Sequence, residues 1–118
     1  MRFGIPPQRM DLIINALKQW QEIEQAAVFG SRGIGNYKNG SDVDIVIYGE
    51  GITAEVLNRL SIELNEKLPL PYYFDLVHYE TLKNQELKEQ IDMSAKIFYK
   101  TQGDDSSRLS GDFWQQKI

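Results

Sequence analysis

Two aspartates with one residue between them, Asp42 and Asp44, stand at the head of a β-branched run, Val43 to Tyr48, and a Gly30-Ser31 pair follows a shorter apolar run, Ala26 to Phe29. Residues two apart on a strand project to the same face, so the two aspartate side chains point together. Adjacent carboxylates repel, and one must hold its proton more tightly unless a cation neutralises both. Hard oxygen donors in this arrangement suit magnesium better than a soft metal. The Gly30-Ser31 turn offers backbone N–H groups and a hydroxyl, in a loop with room for one helical turn, and that arrangement binds phosphate. A phosphate cradle opposite a magnesium ligand pair is the equipment of a nucleotide site.

Other readings of the same letters fail on spacing. Gly30 and Gly35 have the outer spacing of a P-loop, but Asn36-Tyr37 stands where Lys and Ser or Thr are required. Gly33-Ile34-Gly35 begins like a dinucleotide fingerprint, yet Lys38 occupies the third glycine position. Asp42-x-Asp44 opens like a calcium loop, yet Val46 and Ile47 fall on the next ligand and glycine positions. Taken alone, the Gly-Ser pair reads as an ordinary turn and the aspartates as a solvated strand entrance. Together, between two strands, they read as a site.

The elements that must position them follow from periodicity. Met10, Ile13, Ile14, Leu17, Trp20 and Ile23 recur at three- and four-residue steps behind Pro6-Pro7, which predicts an amphipathic helix over 7–23. Strands are expected over 26–29 and 43–48. Thr53 is placed to cap a helix carried by Val56, Leu57, Leu60, Leu64 and Leu68, with Ile52 and Leu57 spaced as a hydrophobic staple. Pro69-Leu70-Pro71 breaks that helix, residues 72–79 read as a third strand, and 84–99 as a last helix with Leu87, Ile91, Ala95 and Phe98 on one face. The expected fold is α/β (α+β): a small mixed β-sheet with helices packed against it, in the order α-β-loop-β-α-β-α. Residues 1–100 form the domain, and the polar composition of 101–118 predicts a mobile tail, with Phe113-Trp114 as either its end or a docking anchor for a partner.

Composition narrows the function classes. The 118 residues fit one domain. Cysteine is absent, which excludes disulfide scaffolds, thiolate zinc sites and thiol nucleophiles, and the single histidine, His78, excludes a polyhistidine metal site. A net charge of −4 argues against strong non-specific binding to nucleic acid, which needs clustered cations. No apolar run approaches the roughly 20 residues of a membrane span, and the N-terminus does not read as a signal peptide, so a cytoplasmic location is expected.

With these residues in place, the sequence resembles the minimal nucleotidyltransferases (MNT) of the polymerase-β-like superfamily. The pattern Gly-Ser-Arg-x-x-Gly, five residues, then Ser-Asp-x-Asp-Leu/Ile is met by Gly30-Ser31-Arg32-Gly33-Ile34-Gly35, residues 36–40, and Ser41-Asp42-Val43-Asp44-Ile45. Phe74-Asp75-Leu76-Val77 matches the family's third carboxylate, and the resemblance in element order covers about residues 7–99. Ile34 departs from it, standing where members often carry Lys or Arg, with Lys38 placed to compensate.

The resemblance implies a metal-dependent transferase that moves a nucleoside monophosphate, AMP from ATP, onto a hydroxyl. Asp42, Asp44 and Asp75 would be both the catalytic residues and the ligands of Mg²⁺, or of Mn²⁺ in its place. Asp75 would also accept the hydroxyl proton. Gly30, Ser31, Arg32 and Ser41 would bind the nucleotide, Arg32 having a surface ion pair with a carboxylate as its other reading. A chain of this length lacks a substrate domain, and the resemblance implies a small helical HEPN-type partner: the protein would be an antitoxin that modifies a tyrosine of a HEPN toxin. A non-catalytic nucleotide- or protein-binding antitoxin subunit is the alternative, a small-molecule adenylyltransferase is disfavoured, and homo-oligomerisation stays open. Tyr72, Tyr73 and Phe74 read as packing residues before base-stacking ones, and His78 as a strand-end side chain.

Overall fold

The computed structural model of the chain describes residues 2–35 and 42–101. Ser41, the 36–40 loop with Lys38, and the tail beyond Thr101 with Phe113 and Trp114 lie outside the described residues. In chain order the elements are α1 (Pro7–Lys18), β1 (Gln25–Phe29), α2 (Gly30–Ile34), β2 (Val43–Tyr48), α3 (Ala54–Ile62, prolonged by a π-helical turn Glu63–Lys67), β3 (Phe74–His78), a 3₁₀ turn (Tyr79–Thr81), α4 (Gln85–Ser94) and β4 (Lys96–Lys100).

The strands form one mixed sheet in the order β3-β2-β1-β4. β1 runs antiparallel to both β2 and β4, whereas β2 and β3, joined through α3, run parallel. Alternation along β2 sends Val43, Ile45 and Ile47 to one face, where they pack with Leu17 of α1 and Leu60 of α3. Val46 goes to the other face, with Ala27, Phe29 and Ile91 of α4. Burying both faces gives three layers, with an apolar core on each side of the sheet. No helix among the described residues is long and apolar enough to cross a membrane.

The boundaries follow local chemistry. Pro6-Pro7 starts α1, because the Pro7 nitrogen occupies a position where no helical donor is needed. The Thr53 side chain accepts from Val56 N–H at 3.2 Å and the Asn84 side chain from Leu87 N–H at 3.1 Å, capping α3 and α4.

Three expectations are corrected. α1 ends at Lys18, not at residue 23: Trp20 and Ile23 keep the helical spacing but reach the core through a turn that leads into β1, with Ile23 fully buried. β3 begins at Phe74 and ends at His78, where a 3₁₀ turn takes over. The last helix stops at Ser94, and Ala95 turns extended into β4. Ile97-Phe98-Tyr99 pairs along the free side of β1, supplying partners for backbone groups that would otherwise face no strand. Phe98 had matched helical spacing by coincidence; in β4 it is buried while Ile97 faces out, half exposed.

β3 is held at its start by one side chain. The Asn65 carboxamide accepts from Phe74 N–H at 2.7 Å and donates to the Phe74 carbonyl at 3.0 Å, as a neighbouring strand would. Asn65→Ala leaves both groups without these partners and lowers the unfolding free energy by about 1–3 kcal/mol. Urea denaturation measures the loss, and an unchanged midpoint would show that the clamp does not hold β3.

Candidate functional site

The carboxylates meet at the entrance of β2 and β3. In the parallel register Asp44 lies opposite Asp75, so neighbouring strands, roughly 4.8 Å apart, carry both side chains on one face. Asp42 lies one residue before β2, exposed. Burial pushes the Asp44 carboxyl above its usual range, the negative charge of Asp75 pushes it further, and that of Asp42 adds to both. The sequence expectation of gathered, mutually repelling acids is therefore met around Asp44.

The glycine turn closes on the same carboxylate. Phe29, the last residue of β1, is the register partner of Asp44. Gly30 follows with φ +71°, and a side chain there would put Cβ 2.7 Å from Asp44 Oδ2. Only glycine combines that conformation with that approach. The Gly30 N–H donates to Ser94 Oγ at 3.1 Å, and the Ser94 hydroxyl in turn donates to the Gln90 carbonyl at 2.7 Å. Ser94, at the end of α4, thus anchors the turn. Sequence reasoning missed it, because it was read as one more residue of a longer helix. A Cβ on Gly33 would meet the Ser94 carbonyl at 2.6 Å and the Val28 carbonyl at 2.9 Å, so α2 packs tightly between α4 and β1. Because Ser94 takes the Gly30 N–H, the donors left to a ligand in the first turn of α2 begin with the exposed Ser31.

Arg32 is buried, not the exposed surface arginine of the alternative reading. It is 3% exposed, donates from its guanidinium to the Phe3 carbonyl at 2.7 Å, and lies 5.2 Å over the Tyr72 ring. Arg9 covers the same ring at 5.7 Å and donates to its hydroxyl at 3.1 Å. Tyr72 is thus a packing residue, Phe74 is core, and Tyr73 stays exposed. His78 sits at the far end of β3, where its Nε2–H donates to the Gly49 carbonyl at 2.7 Å and Nδ1 lies 3.1 Å from Thr81 Oγ1. It has the strand-end role the sequence suggested.

Among the described residues, no group of three or more acidic or histidine side chains closes into a metal cage. The donor set is instead open. Magnesium is commonly held by one or two carboxylates, with water and substrate phosphate oxygens completing the shell. Asp44 and Asp75, in register and with Asp42 close enough to add to the charge felt by Asp44, fit such an ion.

The raised Asp44 carboxyl carries a stability signature. A native proton held more tightly than in the unfolded chain means that ionised Asp44 costs stability, and that this cost vanishes as pH falls toward 3.8. Without divalent metal, Asp44→Asn melts higher than the parent at pH 7, by an amount on the order of a few degrees. The gap narrows as the pH is lowered toward 4, which calorimetry across that range measures. A variant less stable than the parent at pH 7 would contradict the electrostatic account. Gly30→Ala acts in the opposite direction and melts lower, since its Cβ must displace the Asp44 carboxylate.

Comparison with known proteins identifies the family and the fold. The family model for polymerase β nucleotidyltransferases matches residues 11–104. No match is found among curated proteins. Among solved structures, the chain is similar to one of a toxin–antitoxin with AMP-PNP, at 23% identity and TM-score 0.64, covering 78% of this chain and 73% of the other. It is also similar to one of a tri-AMPylated Shewanella oneidensis HEPN toxin in complex with MNT antitoxin, at 21% identity and TM-score 0.61, covering 80% and 72%. A third is the MntA–HepT toxin–antitoxin, at 20% identity and TM-score 0.62, covering 82% and 74%. The fold is shared with these structures, and the matched family model spans the sheet, the glycine turn and all three aspartates. The chain belongs to the polymerase β nucleotidyltransferase family.

Proposed function

We propose that the protein transfers AMP from ATP to a tyrosine hydroxyl of a HEPN-type toxin partner, with divalent metal, and so acts as its antitoxin. The single observation that carries this reading is the Asp44–Asp75 register pair set against the Gly30 turn. The similar structures, of a toxin–antitoxin with AMP-PNP and of a tri-AMPylated HEPN toxin with MNT antitoxin, support the nucleotide and the acceptor class.

Ser31, at the first turn of α2, binds the β- and γ-phosphates with its hydroxyl and N–H, and Ser41 is a further nucleotide contact. Gly30 contributes close backbone approach, not a donor, because its N–H serves Ser94. Arg32 supports the nucleotide site from its place between Phe3 and Tyr72. Asp42, Asp44 and Asp75 would hold Mg²⁺, which would supply positive charge against the phosphates and the attacking and leaving oxygens. Asp75 accepts the proton of the incoming hydroxyl. The hydroxyl oxygen forms a bond to the α-phosphorus, the bond from that phosphorus to the β-phosphate oxygen breaks, and pyrophosphate leaves. One AMP is added to the partner per ATP consumed.

A non-catalytic antitoxin is the second reading, favoured by Ile34. This residue is 60% exposed on α2 beside the turn, where it adds no positive charge for a triphosphate.

Intact mass of the partner after incubation with ATP and Mg²⁺ separates the two. Transfer adds one or more AMP units, and changing the modified tyrosine to phenylalanine removes the increment. Asp44→Asn lowers the rate at least about a thousandfold, the equivalent of roughly 4 kcal/mol. Asp75→Asn loses turnover while keeping most ATP affinity, and Ser31→Ala weakens ATP retention more than turnover. A partner of unchanged mass that is still silenced would establish the non-catalytic reading. Extension of an RNA 3′ end instead would replace the protein acceptor with a nucleic acid.

A further inference from the structure

β3 is an edge strand, and the groove beside it is built to receive main chain. Val43 N–H donates to the Tyr73 carbonyl at 2.9 Å, so the Tyr73 carbonyl faces β2, and Phe74 turns its N–H and C=O outward to Asn65. Alternation along the ladder turns Asp75 inward again and the N–H and C=O of Leu76 outward. Leu76 lines a groove of about 240 Å³ between β3 and α3, together with Leu57, Asn58, Ser61, Tyr73 and Asp75. Asn65 therefore occupies the first outward position of the edge, and the groove holds the next.

In-line displacement sets the attacking hydroxyl opposite the leaving pyrophosphate. The Gly30-Ser31 turn follows β1, on one side of Asp44, and Asp75 lies on β3, on the other. The acceptor thus enters from the β3 edge, past this groove. Its volume falls below the roughly 300–1,000 Å³ of sites that enclose small molecules, and it is sized for one side chain. Resting on the transferase reading, the geometry points to an acceptor that arrives as an extended segment of the partner protein and adds to the edge of β3 at Leu76.

Parity then specifies the segment. A residue paired with Leu76 sends its side chain to the Leu76 face, into the groove with Leu57. The adjacent residue lies opposite Asp75, on the face that carries both carboxylates, with cross-strand Cβ atoms about 5 Å apart. A tyrosine there presents its hydroxyl to the site, and an apolar neighbour one position away anchors it. Main-chain pairing supplies affinity and the groove supplies specificity.

The test uses the whole chain, ATP, Mg²⁺ and an acetylated, amidated Ala-Val-Tyr-Val-Ala pentapeptide. AMP is transferred to the tyrosine, and N-methylation of the two valine amides raises the peptide KM about tenfold with kcat retained. Asn58→Trp, at an exposed helix position, fills the groove and gives the same split. Hydrogen exchange of the Leu76 amide slows at least tenfold in saturating peptide. Equal KM for parent and methylated peptides, with Leu76 unprotected, overturns edge docking and leaves the transferase standing. If AMP reaches neither the peptide nor the partner, the transferase reading fails, and Leu76 exchange still decides docking: protection supports it and unchanged exchange overturns it.

Discussion

The repulsion gathered on Asp44 organises this molecule. Parallel pairing of β2 and β3 places a second carboxylate, Asp75, directly opposite it, and a third, Asp42, precedes it by two residues. A partly buried carboxylate in such company costs stability, and a fold keeps that cost only where other constraints hold the strands in register. Here the apolar faces of both strands are locked into two cores, so a shift of one residue would bury aspartate and expose isoleucine. The core thus maintains an electrostatic arrangement that the carboxylates alone would not adopt.

Around this centre, polar side chains do locally what secondary structure cannot. Ser94 links the end of α4 to the Gly30 N–H, so the glycine turn is held from the opposite layer. Asn65 substitutes for a missing strand at Phe74. At the far end of β2 and β3, the Glu80 carboxylate accepts from Gly49 N–H while His78 donates to the Gly49 carbonyl. Each satisfies backbone groups where a ladder or helix ends, and each connects elements distant in sequence. The glycine turn and the start of β3 are thereby tied to elements packed beside them.

Much of this was legible in the residues. The β-branched run behind the Asp-x-Asp pair reads as the strand that carries Asp44, and Thr53 caps α3 because its local hydrogen bond needs only the next turn. The Gly30-Ser31 turn was legible as the stop of an apolar run, whereas the approach of Gly30 to the Asp44 carboxylate is a contact that only the fold makes. β4 was not legible. Residues 95–98 satisfy helical spacing as well as strand alternation, and the choice depends on β1 needing a second partner, which no window of local sequence contains.

Local chemistry in the sequence thus determined the strands that bear the aspartates, the turn that faces them and the caps that begin the helices, because each is decided within a few residues. Tertiary structure decided the rest. It paired Asp44 with Asp75 across thirty-one residues of chain, took Arg32 from the surface to the Phe3 carbonyl and the Tyr72 ring, made Ser94 the anchor of the glycine turn, and left β3 as an open edge. The physical reason is that these are contacts between distant segments, formed only when the two cores close and every buried polar group must find its partner.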